Sequence, residues 1–226
     1  MSHFCATHPL TGEALTLPSE PLPLPHPSFA ATPCEDPLDE LISEVCARSK
    51  PVVVGVVGAA ASGKTTLCGR LQRALAASGE RAVHLHGDDF TRPPAQRYEL
   101  IDGVRRDRVF GPDIYDHDAL LRAIEGARSA SDVVLVDSVL LGWHAPTAKA
   151  IGLLVGLHVD EATRLRRKLL RDHSNPRRAH GLVDDFVRKQ LTEVRPMHGV
   201  FLDRSALVWD ASTAQMYRRH TAVTQG

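Results

Sequence analysis

An apolar run that passes directly into a glycine-bounded loop constrains the fold of this chain most. Residues 51–67 read PVVVGVVGAAASGKTTL: a β-forming stretch, then Gly58-x-x-x-x-Gly63-Lys64-Thr65, then a helix-forming segment. Such glycines let successive backbone N–H groups turn inward around an anion, and the helix start adds the positive end of its dipole. Lys64 can reach the β and γ phosphates of a nucleotide, and the Thr65 hydroxyl can hold Mg²⁺. The pattern therefore predicts a phosphate-binding loop.

Composition favours one soluble domain. The 226 residues, 43% of them hydrophobic, suit one sizeable core and are short for two. Basic and acidic residues number 27 each, so the charge balance does not favour bulk nucleic-acid or membrane-surface binding. The chain has no run of 18 apolar residues and no secretory pattern at its N-terminus. The four cysteines lack CxxC spacing, which favours free thiols, and we expect a cytoplasmic protein.

The N-terminal segment differs from the rest of the chain. Eight of the 15 prolines fall within the first 37 residues, and PLPLPHP at 21–27 favours extended polyproline geometry. We interpret residues 1–35 as an arm that is either disordered or laid along the surface. A helix is predicted from Asp36, which can cap it, with Pro37 in its first turn. The main domain is then 36–226.

Strands and helices alternate through that domain. Continuous apolar strands between helices are typical of a parallel sheet buried on both faces, so we predict an α/β fold with a parallel five-stranded sheet. The predicted strands are Val52–Val57, Ala82–His86, Val133–Asp137, Gly152–Val159 and Ala206–Trp209. The predicted helices are Lys64–Ala77, Asp118–Ala127, Glu161–Asp172 and Val183–His198.

Carboxylates follow two of the predicted strands. Asp88 and Asp89 follow Ala82–His86 after a single glycine, Gly87, at the end of a parallel strand where such sheets bind ligands. One of them can accept a proton from a substrate hydroxyl, although loop acids also serve as caps. Asp137 ends the apolar run Val133–Val136, which suits a carboxylate that orients Mg²⁺ directly or through water. The alternative is an acid that merely ends a strand.

A basic helix late in the chain suggests a lid. Arg164, Arg167, Lys168 and Arg171 share one helical face, and the polar loop HSNPRRAHG follows at 173–181. Such a face is often only solvated. In a chain with a phosphate loop, it can instead close over a triphosphate, neutralise charge and exclude water. We place this lid at about 161–182.

Two histidines in the second predicted strand are further candidate site residues. His84 and His86 alternate on Ala82–His86 and so point to the same face of the sheet. A metal pair is conceivable there. Packing, or support of neighbouring site residues, is the interpretation we favour from the sequence.

Five segments of the sequence resemble motifs of a known family and occur in the same order as in that family. The chain resembles the uridine kinase, phosphoribulokinase and nicotinamide riboside kinase group of P-loop small-molecule kinases over about 51–212. The matching segments are GAAASGKTT (58–66), DDF (88–90), YDHDAL (115–120), TRLRRKLLRD (163–172) and VRPMHGVFLDRS (194–205). This resemblance implies ATP and Mg²⁺ as cofactors and a small molecule with a hydroxyl group as substrate.

The resemblance also implies roles for particular residues. Asp88 would be the catalytic base and Asp116 would hold substrate hydroxyls. Lys64, Arg167 and Arg171 would act on the triphosphate, and Thr65 with Asp137 would hold the metal. The ATP-binding set is Gly58, Ala59, Ala60, Ala61, Ser62, Gly63, Lys64, Thr65, Thr66, Arg167 and Arg171, and the substrate-binding set is Asp88, Phe90, Arg97, Tyr98, Tyr115 and Asp116.

Three departures from the family pattern bear on the substrate. The family usually has Glu-Gly after the middle strand, where this chain has Asp137-Ser138, and the proline of the Asp-His-Pro element is missing. Uridine-cytidine kinases also insert a base-contacting β-hairpin before the middle strand, where this chain has only about eight residues, 126–133. A pyrimidine pocket of the usual design is therefore not expected. The segment 91–113, with RPPAQRY at 92–98, is the candidate for substrate contacts instead.

Other functions remain open at this stage. A kinase of a sugar, polyol, hydroxy acid or non-pyrimidine nucleoside fits the missing hairpin. A GTPase-type switch would need an Asn-Lys-x-Asp motif, which the sequence lacks. A non-catalytic nucleotide-binding module is the remaining alternative. We expect no nucleic-acid or membrane partner, and a homodimer is left open.

Overall fold

The described part of the chain forms a mixed α/β layer structure. A computed structural model describes residues 28–96, 98–101, 104–107, 114–139, 141–142, 144–172, 202 and 204–220. The strands are β1 (Phe29–Thr32), β2 (Val52–Gly58), β3 (Ala82–His86), β4 (Tyr98–Ile101), β5 (Val104–Asp107), β6 (Val133–Ser138), β7 (Leu153–His158), β8 (Leu207–Asp210) and β9 (Gln215–Arg219). The helices are α1 (Pro37–Cys46), α2 (Lys64–Ala77), α3 (His117–Arg128), α4 (Ala145–Ala150) and α5 (Glu161–Asp172).

The main sheet has seven strands, so the prediction of five is corrected. Its order is β1-β9-β8-β7-β2-β6-β3. The five strands from β8 to β3 are parallel and correspond to the predicted ones. The two additional strands are antiparallel at one edge, where β9 pairs with β8 and β1 pairs with β9. Both come from segments that were not predicted to be strands.

Strand β1 connects the predicted arm to this sheet. Phe29 is buried and pairs in register with Arg219 of β9, and Thr32 pairs with Met216. Residues 29–32 therefore form an edge strand rather than a loose surface segment. Residues 1–27 lie outside the described residues, and the domain boundary at residue 36 stays a prediction.

Helices cover both faces of the sheet because its central strands are apolar on both sides. Along β2, Val54 and Val56 pack with α1 and α2, whereas Val53 packs with α3. This alternation follows from the two-residue period of a strand. The continuous valine run thus gives β2 a central position with a helical layer on each side.

Helix α1 begins as the sequence predicts. Asp36 is the N-cap, its Oδ1 accepts a hydrogen bond of 2.7 Å from the backbone N–H of Leu38, and Pro37 lies in the first turn. Leu41 and Val45 are fully buried against the core. Arg218 of β9 contacts Glu40 and Glu44 of this helix at 2.9 Å each. Helix α1 therefore also contacts the strand β9, which the sequence pattern does not predict.

The segment between β3 and α3 contains a second, two-stranded sheet. Strands β4 and β5 pair antiparallel, with Ile101 opposite Val104. By contrast, residues 129–132 connect α3 to β6 directly. The chain thus lacks a hairpin where uridine-cytidine kinases insert one, and has a different hairpin earlier.

Several predictions fall on residues that are not described. They are the helix Val183–His198, the part of the lid after residue 172, and the side chains of Arg97 and Tyr98. Cys34, Cys46 and Cys68 are free, as predicted for three of the four cysteines. Among the helices that the structure describes, none is long and apolar enough to cross a bilayer.

Candidate nucleotide-binding site

The loop between β2 and α2 has the backbone geometry of an anion nest. Ala61 and Gly63 adopt positive φ angles of 63° and 100°, and α2 begins at Lys64 directly after Gly63. Left-handed residues alternating with ordinary ones turn consecutive N–H groups to the same side of the chain. These amides and the N-terminus of α2 therefore converge on one concave surface, as the sequence predicts for 58–65.

Close packing at Gly58 fixes the start of the loop. A Cβ atom at this position would lie 2.7 Å from the backbone oxygen of Leu157 and 2.8 Å from Ser62 Oγ. Only glycine fits this approach without a shift of β7 or of the loop. Gly58 therefore holds the loop against the neighbouring strand β7.

Lys64 extends across the loop. Its Nζ donates a hydrogen bond of 3.1 Å to the backbone oxygen of Ala59. Desolvation lowers the pKa of Lys64, and the negative charges of Asp88 and Asp137 oppose that shift. The ammonium group thus contacts the phosphate loop, and the charges of Asp88 and Asp137, both singled out from the sequence, favour its protonated form.

Thr65 and Asp137 meet at the carboxyl end of the sheet. Thr65 Oγ1 donates a hydrogen bond of 2.6 Å to Asp137 Oδ2. Strand β6 lies beside β2 with Val56 opposite Asp137, so the register brings this acid to the loop that follows β2. The pair offers two oxygen atoms of the kind that Mg²⁺ prefers.

The second oxygen of Asp137 faces histidines of β3. His84 Nε2 lies 3.1 Å and His86 Nδ1 lies 3.4 Å from Asp137 Oδ1. Burial would raise the pKa of Asp137, but the hydrogen bonds with His84 and Thr65 and nearby positive charge outweigh it, so its pKa is lowered. Asp137 is only 6% exposed and is held in the ionised form that a cation needs. The sequence predicted that the histidines share a face, but not their contact with Asp137.

Gly87 brings the ends of β3 and β6 into close approach. A Cβ atom at Gly87 would overlap the backbone oxygen of Asp137 and lie 2.6 Å from Ser138 Cβ. Asp88 follows in a short 3₁₀ turn, is exposed, and acts electrostatically on Lys64. The missing side chain at Gly87 thus lets the turn that contains Asp88 pass close to the end of β6, a feature that the sequence pattern does not predict.

Replacing Gly87 by alanine should separate these two strand ends. We expect a loss of about 1–3 kcal/mol in the free energy of unfolding, because the new methyl group must displace backbone. Urea unfolding followed by circular dichroism measures it. Gly126→Ala in α3 is the matched control, since a Cβ atom there meets nothing within 4 Å. A Gly87→Ala protein as stable as the wild type would contradict the close approach.

Backbone contacts hold Tyr115 and Asp116, two of the predicted substrate-binding residues, next to the turn that contains Asp88. Thr91 forms a bridge with Tyr115, and Asp116 N donates to Phe90 O at 2.8 Å. Asp116 is also the N-cap of α3, its Oδ1 accepting a hydrogen bond of 2.9 Å from Ala119 N. One carboxylate oxygen of Asp116 is therefore committed to the helix, and the predicted role on substrate hydroxyls would fall to the other.

The other predicted substrate contacts differ in exposure. Tyr115 is 7% exposed and packs with Val57 and Ile114, so little of its side chain is accessible to a substrate. Phe90 is half-buried against the core on the α3 side of the sheet. Arg97 lies outside the described residues, and only the backbone of Tyr98, in β4, is described.

The predicted lid helix contacts the phosphate loop. Arg167 Nη1 donates a hydrogen bond of 3.1 Å to the backbone oxygen of Ser62. Arg171 lies one turn later in α5 and is exposed. Arg164 is 4% exposed, and its Nε donates to Val159 O at 3.2 Å, so it anchors the start of the helix instead. On the basic face of α5, Arg164 therefore has a structural role, whereas Arg167 lies beside the phosphate loop.

A cavity of about 360 Å³ adjoins the loop on the side of α5. The guanidinium of Arg70 lies 5.9 Å from the centre of the Trp209 ring beside it. The lining residues are Ser62, Gly63, Thr66, Leu67, Arg70, Leu157, Arg167, Trp209 and Ala211. The lining residues that were not predicted are Leu67, Arg70, Leu157, Trp209 and Ala211, because their contribution depends on how α2 lies against β7 and β8.

The parallel sheet, the anion nest and the Thr65–Asp137 pair define a P-loop nucleotide-binding protein. A family model described as an AAA domain matches residues 54–219. The chain belongs to that family.

Two curated relatives of this chain are uridine kinases. A uridine kinase of Leuconostoc citreum is 28% identical over 178 residues, which cover 68% of this chain and 82% of that protein. A uridine kinase of Listeria welshimeri is 24% identical over 194 residues, covering 77% of this chain and 91% of that protein. The resemblance to the uridine kinase group is therefore confirmed.

A solved structure supports the fold. D-glycerate 3-kinase from Cryptococcus neoformans var. grubii matches with a TM-score of 0.53 at 13% identity, covering 77% of this chain and 95% of that one. At this identity the likeness concerns the fold alone.

Proposed function

We propose that this protein is an ATP- and Mg²⁺-dependent kinase that transfers the γ-phosphoryl group of ATP to a hydroxyl group of a small molecule. The observation that carries this proposal is the 2.6 Å contact between Thr65 of the phosphate loop and Asp137 at the end of β6. It joins the two oxygen ligands that Mg²⁺-nucleotide chemistry requires on one side of the loop.

The residues present fit a magnesium ion. Thr65 Oγ1 and Asp137 Oδ2 would hold it, directly or through water, and bound Mg²⁺ would supply charge neutralisation at the phosphates. The loop amides and the start of α2 would bind the phosphate oxygens. Trp209 and Arg70 line the cavity that adjoins the loop on the side of α5, and this cavity is suited to the rest of the nucleotide.

Lys64 and Arg167 supply the positive charge on the protein side. Lys64 already lies across the loop, and Arg167 donates to Ser62 O from α5. Phosphoryl transfer depends mainly on positioning and on stabilising charge that spreads over the transferred group. Arg171, further along α5, would add to this clamp when the lid region closes and excludes water.

Asp88 is the proposed general base. It follows β3 at the carboxyl end of the sheet, directly after Gly87, which packs against the backbone at Asp137 and Ser138. Its carboxylate would orient the acceptor hydroxyl and take its proton as the oxygen attacks the γ-phosphorus. Asp116, with Tyr115 beneath it, would hold a second hydroxyl, such as one of a sugar diol.

The acceptor is proposed to be something other than uridine or cytidine. The direct α3–β6 connection removes the place where the pyrimidine-contacting hairpin is usually inserted, and the β4–β5 hairpin lies between Asp88 and Asp116 in the chain instead. A non-pyrimidine nucleoside, or a sugar, polyol or hydroxy acid, fits this arrangement. A non-catalytic module is disfavoured by Lys64, Asp88 and Asp137 occurring together.

An ADP-release screen with nucleosides, sugars, polyols, vitamins and hydroxy acids tests the proposal. We expect ADP release that depends on Mg²⁺ and on one acceptor class, with uridine and cytidine not among the best acceptors. Uridine or cytidine as the best acceptor would overturn the argument from the hairpin. Tight ATP binding with no acceptor-dependent ADP would indicate a binding module and overturn the kinase assignment.

A further inference from the structure

Three possible metal ligands share one face of the sheet. His84 and His86 are two residues apart on β3, so their side chains point the same way. Strand β6 lies beside β3 with Asp137 opposite His86. The strand register therefore brings two imidazoles and one carboxylate together from two adjacent strands.

The distances between these groups are those of ligands around a single ion. Asp137 Oδ1 lies 3.1 Å from His84 Nε2 and 3.4 Å from His86 Nδ1, and one ligand atom from each of the three residues lies within 4.8 Å of the others. Zinc binds nitrogen and oxygen at about 2.0–2.2 Å, so two ligands of a tetrahedral ion are about 3.4 Å apart. Only a small adjustment of His84 and His86 would enclose such an ion.

The donor atoms select a class of ion. Two imidazole nitrogens and one carboxylate oxygen suit zinc and similar transition metals, whereas Mg²⁺ prefers oxygen alone. The side chains of His84 and Asp137 are 8% and 7% exposed, but that of His86 is 42% exposed. An ion can therefore approach from the His86 side, where water can supply the fourth ligand.

We propose that His84, His86 and Asp137 form a binding site for a divalent transition-metal ion such as Zn²⁺. It uses Oδ1 of Asp137 and is distinct from the Mg²⁺ position, which uses Thr65 and Oδ2 of the same carboxylate. The two positions therefore share Asp137 through different oxygens. This site depends on strand register and donor type and does not require that the protein be a kinase.

Cobalt(II) titration of the purified full-length chain, without nucleotide or acceptor, tests the site. One equivalent of Co²⁺ should produce the intense visible d–d bands of a four-coordinate ion, and Zn²⁺ should displace them. His86→Ala and His84→Ala should each weaken Co²⁺ binding by at least about tenfold, since even outer partners of metal ligands contribute 10–100-fold. His220→Ala removes an exposed histidine elsewhere and should leave the titration unchanged.

The same experiment also distinguishes cobalt bound by other residues and allows for a variant that does not fold. Cobalt bound to cysteine would add a sulfur-to-metal absorption band, and that band as the main signal would overturn the assignment. His86→Ala changes the most exposed of the three side chains, so it decides the outcome if His84→Ala does not fold. Only weak bands typical of six-coordinate cobalt, or equal binding by wild type and His86→Ala, would overturn the proposal. The histidines would then serve solely to position Asp137.

The result is independent of the kinase proposal. Failure of the cobalt titration would leave acceptor-dependent ADP release untouched, because Mg²⁺ is assigned to Thr65 and Asp137 Oδ2. Failure of the acceptor screen would equally leave the cobalt spectrum unchanged. The two experiments can therefore fail separately.

Discussion

Replacing Lys64 by methionine is expected to lower kcat about 10²–10³-fold, the range found when a single preorganised charge-stabilising donor is removed. Lys64 Nζ donates to Ala59 O, and its charge lies within reach of Asp88 and Asp137. Methionine keeps the unbranched shape but removes the charge at the point where negative charge spreads over the transferred phosphoryl group. The measurement is ADP release at saturating ATP with the best acceptor from the screen.

The control for this variant is Lys149→Met, which removes an exposed lysine from α4 and should leave kcat unchanged. Thermal melts of both variants should stay close to that of the wild type, which separates a loss of chemistry from a loss of folding. A Lys64→Met enzyme that retains kcat within threefold would show that the phosphates do not bind at this loop in the proposed way.

The second large effect is expected for Asp88→Asn, which should lower kcat by about 10²–10⁴-fold, the usual contribution of a positioned general base. Asparagine has nearly the same shape but cannot take the proton of the acceptor hydroxyl. The KM for ATP should change little, because Asp88 is assigned to the acceptor and not to the nucleotide. Steady-state kinetics with ATP and acceptor varied separately measure both quantities.

Asp89→Asn provides a matched control one residue away. Asp88 and Asp89 both lie in the 3₁₀ turn after β3 and both are exposed. If Asp88 is the base, Asp89→Asn should retain most of its activity. The reverse outcome, with Asp89→Asn inactive and Asp88→Asn active, would transfer the role to Asp89 and contradict the assignment.

Elements with a strong local pattern were predicted closely. Helices α2 and α5 have the predicted bounds Lys64–Ala77 and Glu161–Asp172, and β3 has the predicted bounds Ala82–His86. All five parallel strands were identified, and for β2, β6, β7 and β8 the reason is that a strand buried on both faces is a nearly continuous apolar run. Asp36 was identified as a helix cap because a cap depends only on its own turn.

Edge strands were missed for the opposite reason. β1 and β9 pair with each other although they lie at opposite ends of the described chain, and neither forms a long apolar run. The β4–β5 hairpin did leave a local signal, Asp102-Gly103 between two β-forming stretches, which is typical of a two-residue turn. The sequence therefore contains a local signal for this hairpin, which the predicted set of five strands omits.

The sequence by itself determined the phosphate loop, because an anion nest is built from consecutive backbone groups whose conformation depends on glycine and on the helix start that follows. It also determined that Asp88 and Asp137 lie at the carboxyl ends of strands. Only the tertiary structure decided which groups meet: the register of β3, β6 and β2 brings His84, His86 and Thr65 to the two oxygens of Asp137. Such contacts join residues more than 50 positions apart, so they depend on strand order and packing, which a local pattern does not specify.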